Sequence, residues 1–336
     1  MNTISFNFNS IKVKVLSNNE ELLNRLRKDF WHFLDDFTGP VNFKIQLFDE
    51  TPPAINKKSY KKIWESVNSI TYQRGSVRIN DYHGKAQSLM DYSKEEAQVF
   101  GQSLEKLHEL TYLLIHSRVG KAWDLQGLHR VHSCAFTIGK KLCLILLPSG
   151  GGKSTLLLEL IKNSGSEFSL YSDDAPLIDS NGLVHPFPVR IGLEREIPDW
   201  VDAPEKYQLL REHHGKKHLI SLKDWDVPVG NDYDEVLVMT ANRHPVAECV
   251  IRDGFLGQHA LVLLESLIIG LGLPMILEYF WETGFMDFWR KVKIALLRTR
   301  ASAQLLRNSA IYHIDLGSNS KENAKVLREF LENRKN

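Results

Sequence analysis

Residues 142–155 read Leu-Cys-Leu-Ile-Leu-Leu-Pro-Ser-Gly-Gly-Gly-Lys-Ser-Thr. Three glycines, a lysine and two hydroxyls are residue types that hold a phosphate. Backbone N–H groups in a glycine-rich turn at a helix N-terminus present fixed dipoles to an anion. The glycines let the backbone close around it without Cβ clashes. Lys153 would reach the β- and γ-phosphates of a nucleoside triphosphate, and the Ser154 hydroxyl would hold Mg²⁺. The apolar run before the turn and Leu156–Ile161 after it give the strand–loop–helix order that such a loop needs. The full G-x-x-x-x-G-K-[ST] pattern is not met, because Leu147 stands where the first glycine belongs. What remains is Ser149, Gly150, Gly151, Gly152, Lys153, Ser154 and Thr155. The bland alternative is a glycine-rich turn with an exposed lysine, and the flanking elements weigh against it.

Two more features bear on chemistry. Phe168–Tyr171 is a short apolar run followed by Ser172-Asp173-Asp174, with the acids 20 and 21 residues after Lys153. Carboxylates at the C-terminal end of a strand are where an open α/β sheet places a metal ligand or a base. Alone they would be a solvated acidic turn; one helix after the loop, they fit the site. His132, in Leu128-His-Arg-Val-His-Ser133, precedes the strands that lead to the loop. A lone histidine is more commonly structural.

Taken together, His132 to Asp174 resembles the core of HPr kinase/phosphorylase and its relatives, which share the phosphoenolpyruvate-carboxykinase-like P-loop fold. That family combines a catalytic histidine, two strands, an S-G-x-G-K-[ST] loop, a helix and an Asp-Asp pair. Here His132 stands 21 residues before Lys153, and Ser149-Gly150-x-Gly152-Lys153 matches the loop. Val184-His-Pro-Phe-Pro-Val-Arg190 resembles the segment carrying a phosphate-contacting arginine. Thr155 stands where HPr kinase has glutamate, and the C-terminal glycine-rich signature tied to its phosphorylase activity is missing. The pattern is therefore closer to carboxykinases and to HPr-kinase-like small kinases, including those that phosphorylate peptide serines. The resemblance covers about residues 115–240.

The resemblance implies an ATP- and Mg²⁺-dependent kinase acting on a hydroxyl of a peptide, protein or small molecule. Asp173 would be the base, Ser154 and Asp174 would hold Mg²⁺, His132 would tune the base, and Arg190 would steady the transferred charge. Adjacent acids near a cation can titrate as a pair. It also implies an oligomer. Two other readings stay open: a nucleotide-binding regulatory or accessory protein without phosphoryl transfer, and an ATP hydrolase. Retention of Asp173 and His132 speaks against the first. The Asp-Asp-Ala-Pro run, in place of a metal acid followed by a glutamate base, speaks against the second.

The 336 residues are enough for one large or two medium domains. Side chains are 43% hydrophobic against 25% charged, which provides a sizeable core. A net charge of +1 gives no argument for a nucleic-acid partner. Cys134, Cys143 and Cys249 form no C-x-x-C pair, which predicts buried thiols in a reducing, cytoplasmic setting. Met1–Ser10 is polar and lacks a secretory pattern. Ala260–Trp281 is apolar but carries Glu265, Glu278, Gly270, Gly272 and Pro274, which predicts two helices around a break and no membrane span.

The expected fold class is α/β (α+β overall): a P-loop core with a small N-terminal α+β module and a helical C-terminal part. The module is expected over 1–90, and the core with its C-terminal helices over 91–336. In the module, alternation over Ile4–Val15 predicts a half-buried strand, and Asn18-Asn-Glu-Glu starts an amphipathic helix. Val41–Phe48 reads as a strand, and Arg74-Gly75 as the turn of a hairpin. Ser93–Ala122 reads as a long helical stretch. His213-His214 with Lys216-Lys217-His218 reads as a basic turn, since adjacent strand histidines point to opposite faces and make a poor metal site. Lys216 or Lys217 would lie beside a phosphate.

Overall fold

The computed structural model describes residues 1–56, 59–148, 150–211, 215–244, 248–269, 272–273, 275 and 285–334. The chain is mixed α and β and divides into two compact units. One is built chiefly of Met1–Ala122. The other comprises Trp123–Tyr207, Lys217–Leu273 and Gly284–Asn336.

The first unit carries an eight-stranded sheet. Its order is Asn2–Phe8, Ile11–Ser17, Phe43–Asp49, Glu96–Gly101, Ala86–Asp91, Val77–Asp81, Ile70–Arg74 and Lys61–Glu65. The expected strand over Ile4–Val15 is two strands, because Asn9 and Ser10 adopt positive φ (48° and 74°) and make a two-residue hairpin turn. The apolar alternation slips phase there, from Phe8 to Ile11, because the two turn residues lie between paired positions. Ser93–Ala122 is not all helix either. Ala97, Val99 and Gly101 are buried at period two in the Glu96–Gly101 strand, and the helix starts at Leu104. That strand pairs with Phe43–Asp49 and Ala86–Asp91. The sheet therefore runs through residue 90, where the sequence placed a boundary. The helix Glu20–Asp29 is capped by the Asn19 side chain, which accepts from the Leu22 N–H. It buries Leu22, Leu23 and Leu26.

The second unit holds a six-stranded sheet in the order Phe168–Ser172, Cys134–Ile138, Lys141–Leu146, Glu235–Arg243, Ser309–Leu316 and Val250–Asp253. Pairing is parallel from Lys141–Leu146 through Ser309–Leu316, and antiparallel at Cys134–Ile138 and Val250–Asp253. Phe168–Ser172, Lys141–Leu146, Glu235–Arg243 and Ser309–Leu316 therefore point the same way, and their C-terminal ends share one edge of the sheet. Along Lys141–Leu146, Cys143 and Ile145 face a core containing Leu156, Leu157, Leu160, Leu327 and Leu331. Leu142, Leu144 and Leu146 face a second core containing Leu263, Leu267, Ala301 and Leu305. Burial on both faces explains why this strand reads as an unbroken apolar run. Each fully buried leucine contributes about 1.5–3 kcal/mol.

No described helix is long and apolar enough to cross a membrane. Ala260–Trp281 lies partly outside the described residues; within it, Leu264–Ile269 is a π-helical turn. Cys134, Cys143 and Cys249 are all free thiols.

Candidate functional site

The glycine-rich loop joins the Lys141–Leu146 strand to the helix Lys153–Ser164. Gly150 (φ 76°) and Gly152 (φ 101°) are in the left-handed region, which favours glycine. Gly151 is needed for a different reason. A Cβ there would lie 2.5 Å from Leu147 Cγ. Leu147 replaces the missing first glycine and fills the space beneath the loop with its buried side chain. The third consecutive glycine makes room for it. Ser149 lies outside the described residues. Thr155 is half-buried in the first turn of the helix.

Lys153 is buried, and its ammonium donates to the Leu147 carbonyl and to His132 Nε2, the latter at 3.1 Å. The same His132 Nε2 lies 3.3 Å from Asp174 Oδ1. One ring nitrogen either accepts from the lysine or donates to the carboxylate, not both at once. His132 is brought here because His129–Arg130 pairs with Leu177–Ile178, and the Val131 N–H donates to the Pro176 carbonyl. The segment with the histidine thus runs beside the segment with the acids. Its N–H donates to the Ser266 carbonyl, and its ring lies against Gly272, where a Cβ would fall 2.1 Å from Cε1.

The acid pair leaves the end of the Phe168–Ser172 strand. The Ser172 hydroxyl accepts from the N–H groups of Asp174 and Ala175, which turns the chain there. Asp173 is buried. Its Oδ2 accepts from the Ser154 hydroxyl at 3.0 Å and from the Gly192 N–H at 3.3 Å. Its Oδ1 is buried with no hydrogen-bond partner. Burial, with the neighbouring Asp174 charge, pushes the Asp173 carboxyl up to about 6. Asp174 moves the other way. Burial alone would raise it, but the hydrogen bond and charge of His132, with Lys153 and Lys217, hold it below the ordinary range. Its side chain is 36% exposed.

Arg190 is buried, two residues before Gly192. Lys216, Lys217 and His218, expected in a basic turn, lie in the strand Gly215–Ile220, which pairs with Ile191–Leu193 and brings Lys217 to the site. The Lys217 Nζ lies 2.9 Å from where a Gly192 Cβ would be, and its charge acts on both aspartates. His213 and His214 lie outside the described residues. Cys134 lies behind the site, where burial pushes its thiol up to about 12.

Among the described residues, no group of three or more His, Cys, Asp or Glu could enclose a metal by itself. Mg²⁺ does not require one, since one or two carboxylates plus substrate phosphates usually hold it. The residues present fit that mode. Ser154 donates to Asp173 and keeps its lone pairs, Asp174 is held ionised, and Asp173 Oδ1 is an unsatisfied acceptor.

The structure therefore gathers Lys153, Ser154, His132, Asp173 and Asp174 into one cluster. Its hydrogen bonds differ from the expected wiring in one respect: His132 touches Asp174 rather than the expected base, Asp173. Gly192 and Gly272 had no signal in the sequence, because their roles come from strand and segment neighbours distant along the chain. Compared with protein-family models and with curated proteins, the chain matches none.

Proposed function

We propose that this chain is an ATP- and Mg²⁺-dependent kinase with a P-loop core of the HPr kinase/carboxykinase type. It transfers the γ-phosphoryl group to a hydroxyl of a peptide, protein or small molecule. The observation that carries the reading is Asp173: one oxygen anchored by Ser154 and Gly192, the other buried and unpartnered, beside the N-terminus of the loop helix. A carboxyl pushed up to about 6 is close to what a general base at neutral pH needs.

In this reading the N–H groups at Gly150–Ser154 and the Lys153 ammonium hold the triphosphate. Ser154 and Asp174 would hold Mg²⁺, which would supply charge neutralisation to the phosphates. Lys153 leaves His132 for the phosphates, and His132, in the tautomer that carries its proton on Nε2, donates to Asp174 and fixes it. Asp173 Oδ1 takes the proton of the acceptor hydroxyl as that oxygen bonds to the γ-phosphorus. The bond to the β-bridging oxygen breaks, and its electron pair leaves with ADP. Lys217 and Arg190 supply positive charge around the transferred group.

The test follows the label from γ-labelled ATP and Mg²⁺ offered with serine peptides and with small alcohols. Transfer to an acceptor hydroxyl supports the kinase. Label found only in inorganic phosphate, in every acceptor mixture, indicates a hydrolase. Bound ATP that stays intact indicates a binding protein. Either of the last two overturns the proposal.

A further inference from the structure

The acid pair flanks the loop on one side of the sheet edge. The other side is formed by the Glu235–Arg243 strand, the parallel neighbour of the strand that feeds the loop. Thr240 is level with Leu146, so the following residues run past the sheet edge alongside the loop. Arg243 ends that strand. Its Nη1 lies 3.1 Å from where a Gly152 Cβ would be, so the guanidinium rests on the glycine that precedes Lys153. Gly152 has two reasons to be glycine: its φ of 101° and this side chain.

The charges nearby leave Arg243 available. Asp315, at the end of the next parallel strand, is engaged by His313 at 3.1 Å, by His244 at 3.3 Å and by Arg252. His313 is also bonded to Thr240 at 2.9 Å and lies 3.4 Å from Asn242. Among the described residues, no carboxylate pairs with Arg243, and its side chain is exposed. An exposed guanidinium without an acid, resting on a phosphate-type loop, presents a planar fork of donors to an anion. The unpartnered, buried Asp173 Oδ1 on the opposite flank is an independent sign that a ligand completes this loop.

We infer that Arg243 is a phosphate-binding residue that clamps the polyphosphate of the nucleotide from the side opposite Asp173 and Asp174. The inference rests on the nucleotide reading above and adds a division of labour across the loop. The acidic flank handles the metal and the acceptor proton. The guanidinium flank grips the phosphate chain.

The experiment measures binding of Mg·ATP, of inorganic tripolyphosphate with Mg²⁺, and of adenosine to wild type, R243A and R243K. Arg243 is exposed, so both variants should fold, and circular dichroism checks this. Loss of a charge-assisted contact should weaken ATP and tripolyphosphate about 10- to 100-fold in R243A. R243K should recover part of the loss, and adenosine should bind all three proteins alike. Wild-type affinity of R243A for ATP overturns the clamp and leaves the nucleotide reading standing. Equal weakening of adenosine and ATP also overturns it. A wild-type protein that binds neither ATP nor tripolyphosphate overturns both.

Discussion

Two of the acid–histidine–cation groups in the second unit are built to opposite ends. Asp124, His129 and Arg298 are closed. His129 Nδ1 is 2.7 Å from Asp124 Oδ1, and Arg298 meets both carboxylate oxygens at 2.9 Å. All three side chains are buried. Asp174, His132 and Lys153 are open. Two partners compete for one nitrogen at 3.1 and 3.3 Å, and the acid is 36% exposed. Burial alone thus says little about function. What separates the two is the carboxylate: both oxygens of Asp124 are engaged inside the protein, whereas Asp174 is partly exposed and meets a contested nitrogen. The closed trio holds the chain together, whereas the open one has groups left for a ligand.

The largest effects should come from the open site. K153A should lower phosphate transfer by at least about 10³-fold, since it removes a fixed cation from the transferring phosphates. Its melting temperature, measured beside its turnover, should show a folded protein. The closed trio should behave in reverse. D124N leaves Arg298 and His129 buried without their counter-charge and should destabilise by about 3–5 kcal/mol in urea unfolding. The turnover of the molecules that remain folded should not change. If D124N instead lost turnover and kept its stability, the distinction between the trios would collapse.

Protonation separates the acids next. Burial would raise Asp124, but Arg298 and His129 outweigh it and hold the carboxyl below the usual range. Its contribution is present at neutral pH and is lost as pH falls below about 4. Asp173 has the opposite sign. Its folded value, about 6, exceeds the unfolded value of 3.8, so the folded state binds the proton more tightly. The cost of ionising it is absent below pH 3.8, grows as pH rises towards 6, and is complete above that. D173N should therefore unfold at higher denaturant at pH 7.5 than wild type, by about 2–3 kcal/mol at most, with the gain vanishing near pH 4. Equal stabilisation at both pH values would show that the carboxylate is not strained.

The smallest effect concerns the loop. G151A should push Leu147 out of place, cost about 1–3 kcal/mol, and weaken ATP binding. L147A should restore binding when combined with G151A. Failure of the double variant to recover would mean that Gly151 is needed for a reason other than Leu147.

Much of the site was legible because its signals are local. The glycines, Lys153 and Ser154 are consecutive, and Asp173-Asp174 follow one helix later. The strands on either side of the loop are continuous apolar runs, which two-sided burial dictates. Other features depend on distant pairings. Arg243 reaches the loop only because Glu235–Arg243 lies beside Lys141–Leu146, and no spacing encodes sheet order. His132 meets Asp174 through the pairing of His129–Arg130 with Leu177–Ile178. The hairpin at Asn9-Ser10 is marked by the slip in alternation from Phe8 to Ile11, which a single strand over Ile4–Val15 passes over. The Glu96–Gly101 strand was absorbed into a helix by the leucine pattern that follows it.

The central claim is that Asp173 accepts the proton of an attacking hydroxyl at a loop-bound triphosphate. The most direct measurement is the rate of label transfer from γ-labelled ATP by purified, folded D173N beside wild type at pH 7.5. The account predicts a loss of about 10²–10⁴-fold with ATP still bound. A D173N protein that transfers phosphate at the wild-type rate would contradict it.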